Sequence, residues 1–199
     1  LIAAVAAILF ERALWGGVLL ALAVLCKPQA VIFFPLILLL LSSHPKNILL
    51  TAAGGIATTA VIITPFWWQG VIEKVMGLFV VQELSNRISW NAYNFWWLVV
   101  GKDAWNISAR DPFLFSLSYR AIGIVFVAFW LVSCAVWFWG VLRSKRPNPE
   151  HVLLVLALFG AAFFLFATGM HERYSFAFLG FGIPLIFRGK GGIAIYALS

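Results

Sequence analysis

The chain has 199 residues, of which 63% are apolar and only 11% are charged. A water-soluble domain has about 45–50% apolar and about 25% charged residues, because polar side chains must cover its surface. The composition therefore excludes a soluble enzyme, a secreted disulfide scaffold and a disordered chain, and it predicts an integral membrane protein. The net charge is +7, but the basic residues stand in short turns between apolar runs, which indicates membrane topology rather than nucleic-acid binding.

Seven apolar runs predict helices in or across the membrane, because a crossing helix needs about 20 mainly apolar residues. In chain order the predicted spans are residues 1–10, 13–26, 29–43, 47–68, 121–142, 151–170 and 175–187. Lys27-Pro28-Gln29 separates the second run from the third. The two runs therefore form either a hairpin of two short helices, with Lys27 at its tip, or one kinked span. Because the chain begins and ends inside apolar runs, we expect it to be an internal or C-terminal piece of a longer protein.

Residues 69–120 differ from the rest of the chain, because they are rich in charged and Trp residues and contain no run long enough to span. Within them, residues 71–81 predict a short interfacial helix. Positive charge concentrated in short turns is typical of the cytoplasmic side. The turns of that kind contain Lys46, Arg143, Lys145, Arg146, Arg188 and Lys190. The predicted fold class is therefore all-α, a polytopic transmembrane helical bundle with one long outward-facing loop.

The outward turn after the sixth run carries three consecutive ionisable residues, His171, Glu172 and Arg173. Charge at membrane depth costs free energy unless it is paired or hydrated, so such residues are often functional. The guanidinium of Arg173 suits a phosphate, while His171 and Glu172 suit an acceptor hydroxyl, a proton relay or the orientation of Arg173. The alternative is an ordinary charged turn at the membrane interface.

Two further segments are candidates. Lys27, between two apolar runs, could contact an anion or could simply cap the C-terminal end of a short helix. Residues 91–97 have the sequence NAYNFWW, and their amides and rings suit a sugar, although an aromatic belt at the membrane surface explains them equally. The loop carboxylates Glu83, Asp103 and Asp111 are candidate bases, and none has a paired partner at an informative spacing.

Taken together, residues 25–30, 91–97 and 169–174 resemble the C-terminal half of bacterial GT-C glycosyltransferases, which are multi-span enzymes. The His-Glu-Arg turn is also similar to the His-Glu-Lys turn of the dolichyl-phosphate-glucose glucosyltransferases. The resemblance implies transfer of a sugar from a polyprenyl-phosphate carrier, with inversion at the anomeric carbon. The family's usual base lies in a first outward loop near the N-terminus, so we expect it upstream of Leu1.

The resemblance also implies roles for particular residues. His171 and Glu172 would be catalytic, and Arg173 and Lys27, with Gln29 beside Lys27, would bind the donor phosphate. Asn91, Asn94 and Trp96 would line the sugar or acceptor cleft.

The implied partners are a polyprenyl-phosphate-sugar donor, a glycan, lipid or protein acceptor, and membrane lipids, with no nucleic acid. No cofactor is expected; some relatives use a divalent metal, but no ligand cluster in the sequence supports one. The expected location is multi-pass in the plasma membrane of a bacterium, or in the ER membrane of a eukaryote. Two alternatives stay open, a transporter or flippase of a lipid-linked substrate and a non-catalytic membrane scaffold.

Overall fold

The computed structural model describes residues 1–80, 86–144 and 148–186, and most of these residues are helical. The strands among them are only two or three residues long. The chain divides into two compact units, Leu1–Gln82 and Glu83–Ser199, which we call the first and the second unit. Glu83 and the basic residues Lys145, Arg146, Arg188 and Lys190 lie outside the described residues.

Among its described residues, the first unit contains five α-helices. They are α1 (Ile2–Leu9), α2 (Ala13–Cys26), α3 (Phe34–Leu41), α4 (Pro45–Trp68) and α5 (Ile72–Val80). The backbone is extended at Lys27, with φ −150° and ψ 98°, and a 3₁₀ helix over Pro28–Phe33 leads into α3. Pro28 ends α2 at this point because proline has no N–H to donate and disfavours a helical conformation in the residue before it.

The chain reverses its direction between α2 and α3. Near the start of α4, the Thr51 hydroxyl donates a hydrogen bond of 3.1 Å to the carbonyl of Ala13, the first residue of α2. Because only residues 42–44 separate α3 from α4, the segment after Lys27 must return to the level at which α2 begins. A straight helix over residues 13–41 would end about 40 Å away, at 1.5 Å per residue. Lys27 therefore lies in the turn of a helical hairpin.

Close backbone contacts at two glycines bring α2 and α4 together. A Cβ atom on Gly17 would lie less than 2 Å from the Thr51 carbonyl oxygen, and one on Gly54 would be 2.2 Å from the carbonyl oxygen of Leu14. Real Cβ atoms essentially never approach other atoms so closely. The absence of a side chain at these two positions is therefore what allows the helices to touch.

The second unit contains four α-helices and four short strands among its described residues. They are β1 (Ser89–Trp90), α6 (Phe95–Val100), β2 (Pro112–Leu114), β3 (Leu117–Ser118), α7 (Tyr119–Ser144), α8 (Pro149–Phe166), β4 (Met170–His171) and α9 (Phe176–Ile186). Three helices of the described part of the chain, α4, α7 and α8, are long and apolar enough to cross a membrane. Their length and composition indicate a membrane protein.

Residues 86–118, which we call the cap, are ordered by hydrogen bonds along their backbone. Ile88 N–H donates to the Ile107 carbonyl at 3.3 Å, and Ala109 N–H donates to the Asn86 carbonyl at 2.6 Å. β2 and β3 form an antiparallel hairpin directly before α7. The segment that the sequence identified only as a loop therefore contains a compact set of short elements.

The sixth predicted span is too long at its C-terminal end. α8 ends at Phe166, not at residue 170, because Ala167 is extended (ψ 147°) and Gly169 has a positive φ of 71°. That conformation is readily adopted by glycine and disfavoured for residues with a Cβ. As a result, His171 lies in the strand β4 rather than at the end of a helix.

Candidate functional site

The turn after α8 is fixed to the cap by backbone pairing. β4 pairs in parallel with β1, with Ser89 opposite Met170 and Trp90 opposite His171. Gly169 N–H also donates a 2.8 Å hydrogen bond to the Ile88 carbonyl. Two segments about 80 residues apart in the sequence therefore form a single surface.

His171 and Glu172 form a hydrogen-bonded pair on this surface. The distance between His171 Nδ1 and Glu172 Oε2 is 2.6 Å, and the two side chains are 30% and 54% exposed. The hydrogen bond from His171 lowers the pKa of Glu172, and a backbone hydrogen bond and the charges of His171 and Arg173 act in the same direction. Because an ionised carboxylate only accepts hydrogen bonds, Nδ1 carries the proton and Nε2 of a neutral His171 can accept one.

Trp90 supports the imidazole of His171. The two rings are stacked at 8°, with their centroids 6.4 Å apart. The guanidinium carbon of Arg87 lies 4.7 Å from the Trp90 centroid, and Trp105 contacts Trp90 edge-on at 6.1 Å. These contacts restrict the orientation of the ring that faces His171.

A cavity of about 460 Å³ lies between α8, α9, the turn and the cap. Its polar lining is Asn91, Tyr93, Glu172 and Ser175, and its apolar lining is Ala157, Leu158, Ala161, Phe164, Leu165 and Phe178. The cavity therefore has a polar side next to the ionised carboxylate and an apolar side along two helices. Such a lining matches a molecule that has both a polar and an apolar part.

Asn91 and Arg173 are both exposed beside the pair. Asn91 has a positive φ of 53° and bridges to His171 through the backbone. Arg173 follows Glu172 in the 3₁₀ turn Glu172–Ser175, in which the Ser175 hydroxyl donates to the Glu172 carbonyl at 2.7 Å. The structure thus brings together four of the eight predicted site residues, His171, Glu172, Arg173 and Asn91.

Asn94 and Trp96, predicted to line a sugar or acceptor cleft, are fully buried. Asn94 Oδ1 accepts from the Trp97 N–H at the start of α6, and its Nδ2 donates to the Ala167 carbonyl at 3.4 Å. Trp96 Nε1 donates to the Phe166 carbonyl at 2.6 Å. Both side chains hydrogen-bond to backbone groups where α8 ends, so in this structure they hold the turn in place and are not exposed to a cleft.

The remaining candidates belong to other segments of the chain. Lys27 and Gln29 belong to the first unit, with Lys27 exposed and Gln29 half-buried. Asp111 Oδ2 accepts a 3.1 Å hydrogen bond from Ser108 N–H, so this carboxylate closes a turn of the cap. Asp103 is exposed in the 3₁₀ turn Gly101–Trp105.

Three residues of the site were missed as site residues. Trp90 stacks on His171, while Tyr93 and Ser175 line the cavity. Tyr93 lies between the predicted residues Asn91 and Asn94, and Trp90 directly precedes Asn91. The aromatic segment could therefore have indicated both. Nothing in the sequence distinguishes Ser175.

Among residues 1–80, 86–144 and 148–186, no group of three His, Cys, Asp or Glu side chains could hold a metal ion. No protein-family model matches the chain, and no curated protein or solved structure is significantly similar to it.

Proposed function

We propose that this chain is part of a polytopic membrane glycosyltransferase. It would move a sugar from a polyprenyl-phosphate carrier to an acceptor on the outer face of the membrane. The observation that carries the proposal is the cavity of the second unit, which combines an ionised carboxylate and an exposed amide with the apolar walls of α8 and α9. A lipid-linked sugar has the same division into a polar head and an apolar tail.

The two sides of the cavity suit the two parts of such a donor. Phe164, Leu165 and Phe178 offer apolar surface to an isoprenoid chain, whose burial releases ordered water or lipid contacts. Asn91 and Tyr93 offer an amide and a phenol to sugar hydroxyls at the opposite side. Tyr93 is 79% exposed and can reach a sugar, whereas Trp96 is fully buried.

The pair His171–Glu172 and the adjacent Arg173 supply the chemistry of the proposal. Nε2 of His171 accepts a hydrogen bond from the acceptor hydroxyl, and Glu172 holds the imidazole in that orientation. The base that removes the hydroxyl proton is the one that the resemblance places upstream of Leu1. The acceptor oxygen attacks the anomeric carbon from the face opposite the phosphate, and the bond between that carbon and the phosphate oxygen breaks. The departing phosphate takes the electron pair, and the guanidinium of Arg173 stabilises its charge. The phosphate-binding roles of Lys27 and Gln29, which belong to the first unit, stay predictions from the resemblance.

The membrane arrangement belongs to the same proposal. A multi-pass protein with the cap on the outer face would place the basic turns around Lys46 and Arg143 in the cytoplasm, as the distribution of positive charge favours. The membrane would be the inner membrane of a bacterium, or the ER membrane in a eukaryote. The acceptor would then be a glycan, a lipid or a protein on the far side.

The test uses the full-length protein in proteoliposomes with a radiolabelled polyprenyl-phosphate hexose. We expect Arg173→Ala and Glu172→Gln each to lower the rate of sugar transfer about 100-fold or more, the range seen when a positioned acid–base or charged group is lost. Lys102→Ala is the matched control, because Lys102 is an exposed cation of the cap outside the cavity. Its rate should equal that of the wild type.

Three results would contradict the proposal. Wild-type transfer by both site variants would remove Glu172 and Arg173 from the reaction. Movement of the labelled lipid across the bilayer without a covalent product would identify a flippase. If neither sugar transfer nor movement of the lipid across the bilayer changed in any variant, with normal expression, the protein would be identified as a scaffold.

A further inference from the structure

The hairpin β2–β3 presents an unusual turn. Pro112 pairs with Ser118 and Leu114 with Leu117, so that Phe115 and Ser116 alone form the turn. Both have a positive φ, 47° for Phe115 and 65° for Ser116. Two-residue hairpin turns of this kind favour Asn and Gly, and a bulky residue at positive φ costs free energy. The turn therefore holds a large apolar side chain in a conformation that residues of this type disfavour.

The tip of the hairpin is apolar and exposed. Phe115 is 90% exposed, while Leu114 and Leu117 are 50% and 51% exposed. These three side chains, which we call the hairpin tip, adjoin one another across the turn. A contiguous exposed apolar patch commonly marks a surface that meets a membrane or a partner.

The base of the hairpin is fixed, so the tip keeps its direction. The Phe113 ring stacks on Tyr119 with a centroid distance of 4.6 Å and contacts the buried Trp96 edge-on at 6.0 Å. The Ser118 hydroxyl accepts from Ala121 N–H at 3.2 Å, which caps the start of α7. Phe113, although 40% exposed, thus packs against the unit, and its neighbours Leu114 and Phe115 are more exposed.

The position of the hairpin in the chain indicates what it meets. α7 begins at Tyr119, directly after β3, and is one of the helices long and apolar enough to cross a membrane. Its 26 residues span about 39 Å at 1.5 Å each, more than the roughly 30 Å hydrocarbon core. The helix is therefore long enough to cross the core with its first turn in the interfacial region. The hairpin comes directly before that turn in the chain.

We infer that the hairpin tip inserts into the lipid surface, at the boundary between headgroups and acyl chains. The occupant of this patch is the bilayer that α7 crosses, and the inserted tip fixes the depth of the cap relative to it. This inference does not depend on sugar transfer, because it rests only on the hairpin and on α7 as a membrane span.

The experiment measures membrane depth at the tip. Phe115→Cys is made in a full-length protein in which Cys26 and Cys134 are replaced by Ala, and it carries a nitroxide label in lipid nanodiscs. Collision rates with oxygen, which partitions into lipid, and with a water-soluble nickel chelate give the depth. We expect oxygen collisions to exceed nickel collisions at position 115. Leu117→Cys, on the other side of the turn, should behave in the same way and covers a failure of the first variant to fold.

Two positions calibrate the measurement. Val125→Cys lies on the exposed side of α7 within the predicted span and should give the lipid result. Lys102→Cys, on the cap, should give the aqueous result, in which nickel collisions exceed oxygen collisions. A label at 115 that matches position 102 would overturn the inference. A label that neither reagent reaches would overturn it as well: spin–spin broadening would then show contact with a second copy, and its absence would show burial of the tip within the protein itself.

Discussion

The two units bring helices together in different ways. In the first unit, α2 and α4 touch through their backbones, because Gly17 and Gly54 leave no side chain between them. In the second unit, the end of α8 is held by side chains of the cap, through Trp96 and Asn94. Where the backbones of two helices touch, as in the first unit, there is no room between them for side chains that could take part in a reaction. Where side chains make the contact, as at the end of α8, polar groups remain around the turn that those side chains hold.

The cavities of the two units show the same difference. The cavity of the first unit has a volume of about 710 Å³ and lies between α2, α3 and α4. Among its few polar residues, Thr51 and Thr64 donate their hydroxyl protons to backbone carbonyls. The smaller cavity of the second unit has Asn91 and Glu172 in its lining. The comparison therefore favours the second unit as the location of a reaction with a polar headgroup.

The largest effect is expected from Trp96→Ala, which removes a fully buried ring and the donor to the Phe166 carbonyl. Loss of a large buried aromatic side chain lowers the free energy of unfolding by about 3–5 kcal/mol. Thermal unfolding in detergent, followed by circular dichroism, measures the change. We expect the turn after α8 to lose its protection from hydrogen exchange as well.

Trp96→Phe separates the ring from its hydrogen bond. It keeps most of the apolar volume but leaves the Phe166 carbonyl without this donor, which costs about 1–3 kcal/mol. Trp97→Ala is the matched control, because Trp97 is partly exposed and contacts Tyr93 rather than α8. Equal losses for Trp96→Ala and Trp97→Ala would show that the cap is not held through Trp96.

A smaller effect, in the first unit, is expected from Gly54→Ala. The new Cβ would lie 2.2 Å from the Leu14 carbonyl oxygen, so α2 and α4 must move apart. Overpacking of this kind costs about 1–3 kcal/mol. Gly55→Ala is the adjacent control, because its Cβ would have only an ordinary contact of 3.5 Å with Gly17. That variant should be neutral or gain up to about 1 kcal/mol from alanine's better helix propensity. Equal losses at both positions would contradict the close backbone contact.

The membrane character and the approximate helix positions could be predicted from composition and run length. Length and hydropathy identify α4 and α7 because a membrane helix must satisfy its backbone internally over a fixed thickness. The end of α8 was misplaced because residues 167–170 contain neither a charged residue nor a proline that would interrupt the apolar run. The extended backbone at Ala167 and the positive φ of Gly169 end the helix there.

The candidate site was predictable only in part. His171, Glu172 and Arg173 are adjacent in the sequence, so their proximity is assured. The pairing of Trp90 with His171 spans about 80 residues, and a single sequence contains no record of such a contact. Asn94 and Trp96 have groups that can bind a sugar or a backbone carbonyl equally well. Burial decides between the two, and burial depends on the packing of the whole unit.

The smallest expected effect is the acid response of the pair His171–Glu172. The pKa of Glu172 is lowered in the folded protein, chiefly by the hydrogen bond from His171. A carboxyl group whose pKa is lower in the folded than in the unfolded protein stabilises the fold at pH values above its unfolded pKa of about 4.3. This stabilisation is lost as the pH falls through the pKa of the folded state. The difference in melting temperature between wild type and Glu172→Gln should therefore shrink below about pH 4.3. Both residues are partly or largely exposed, which keeps the effect small.

The double variant His171→Ala with Glu172→Gln tests the cause. If His171 lowers the pKa of Glu172, replacing Glu172 in the His171→Ala background should have little pH-dependent effect, since the hydrogen bond is already gone. A pH dependence that survives in that background would assign the lowered pKa to Arg173 and the backbone instead. The same double variant in the transfer assay would separate a role of the pair in the reaction from a role in holding the turn. A loss of transfer without a loss of stability would favour the chemistry proposed for the second unit.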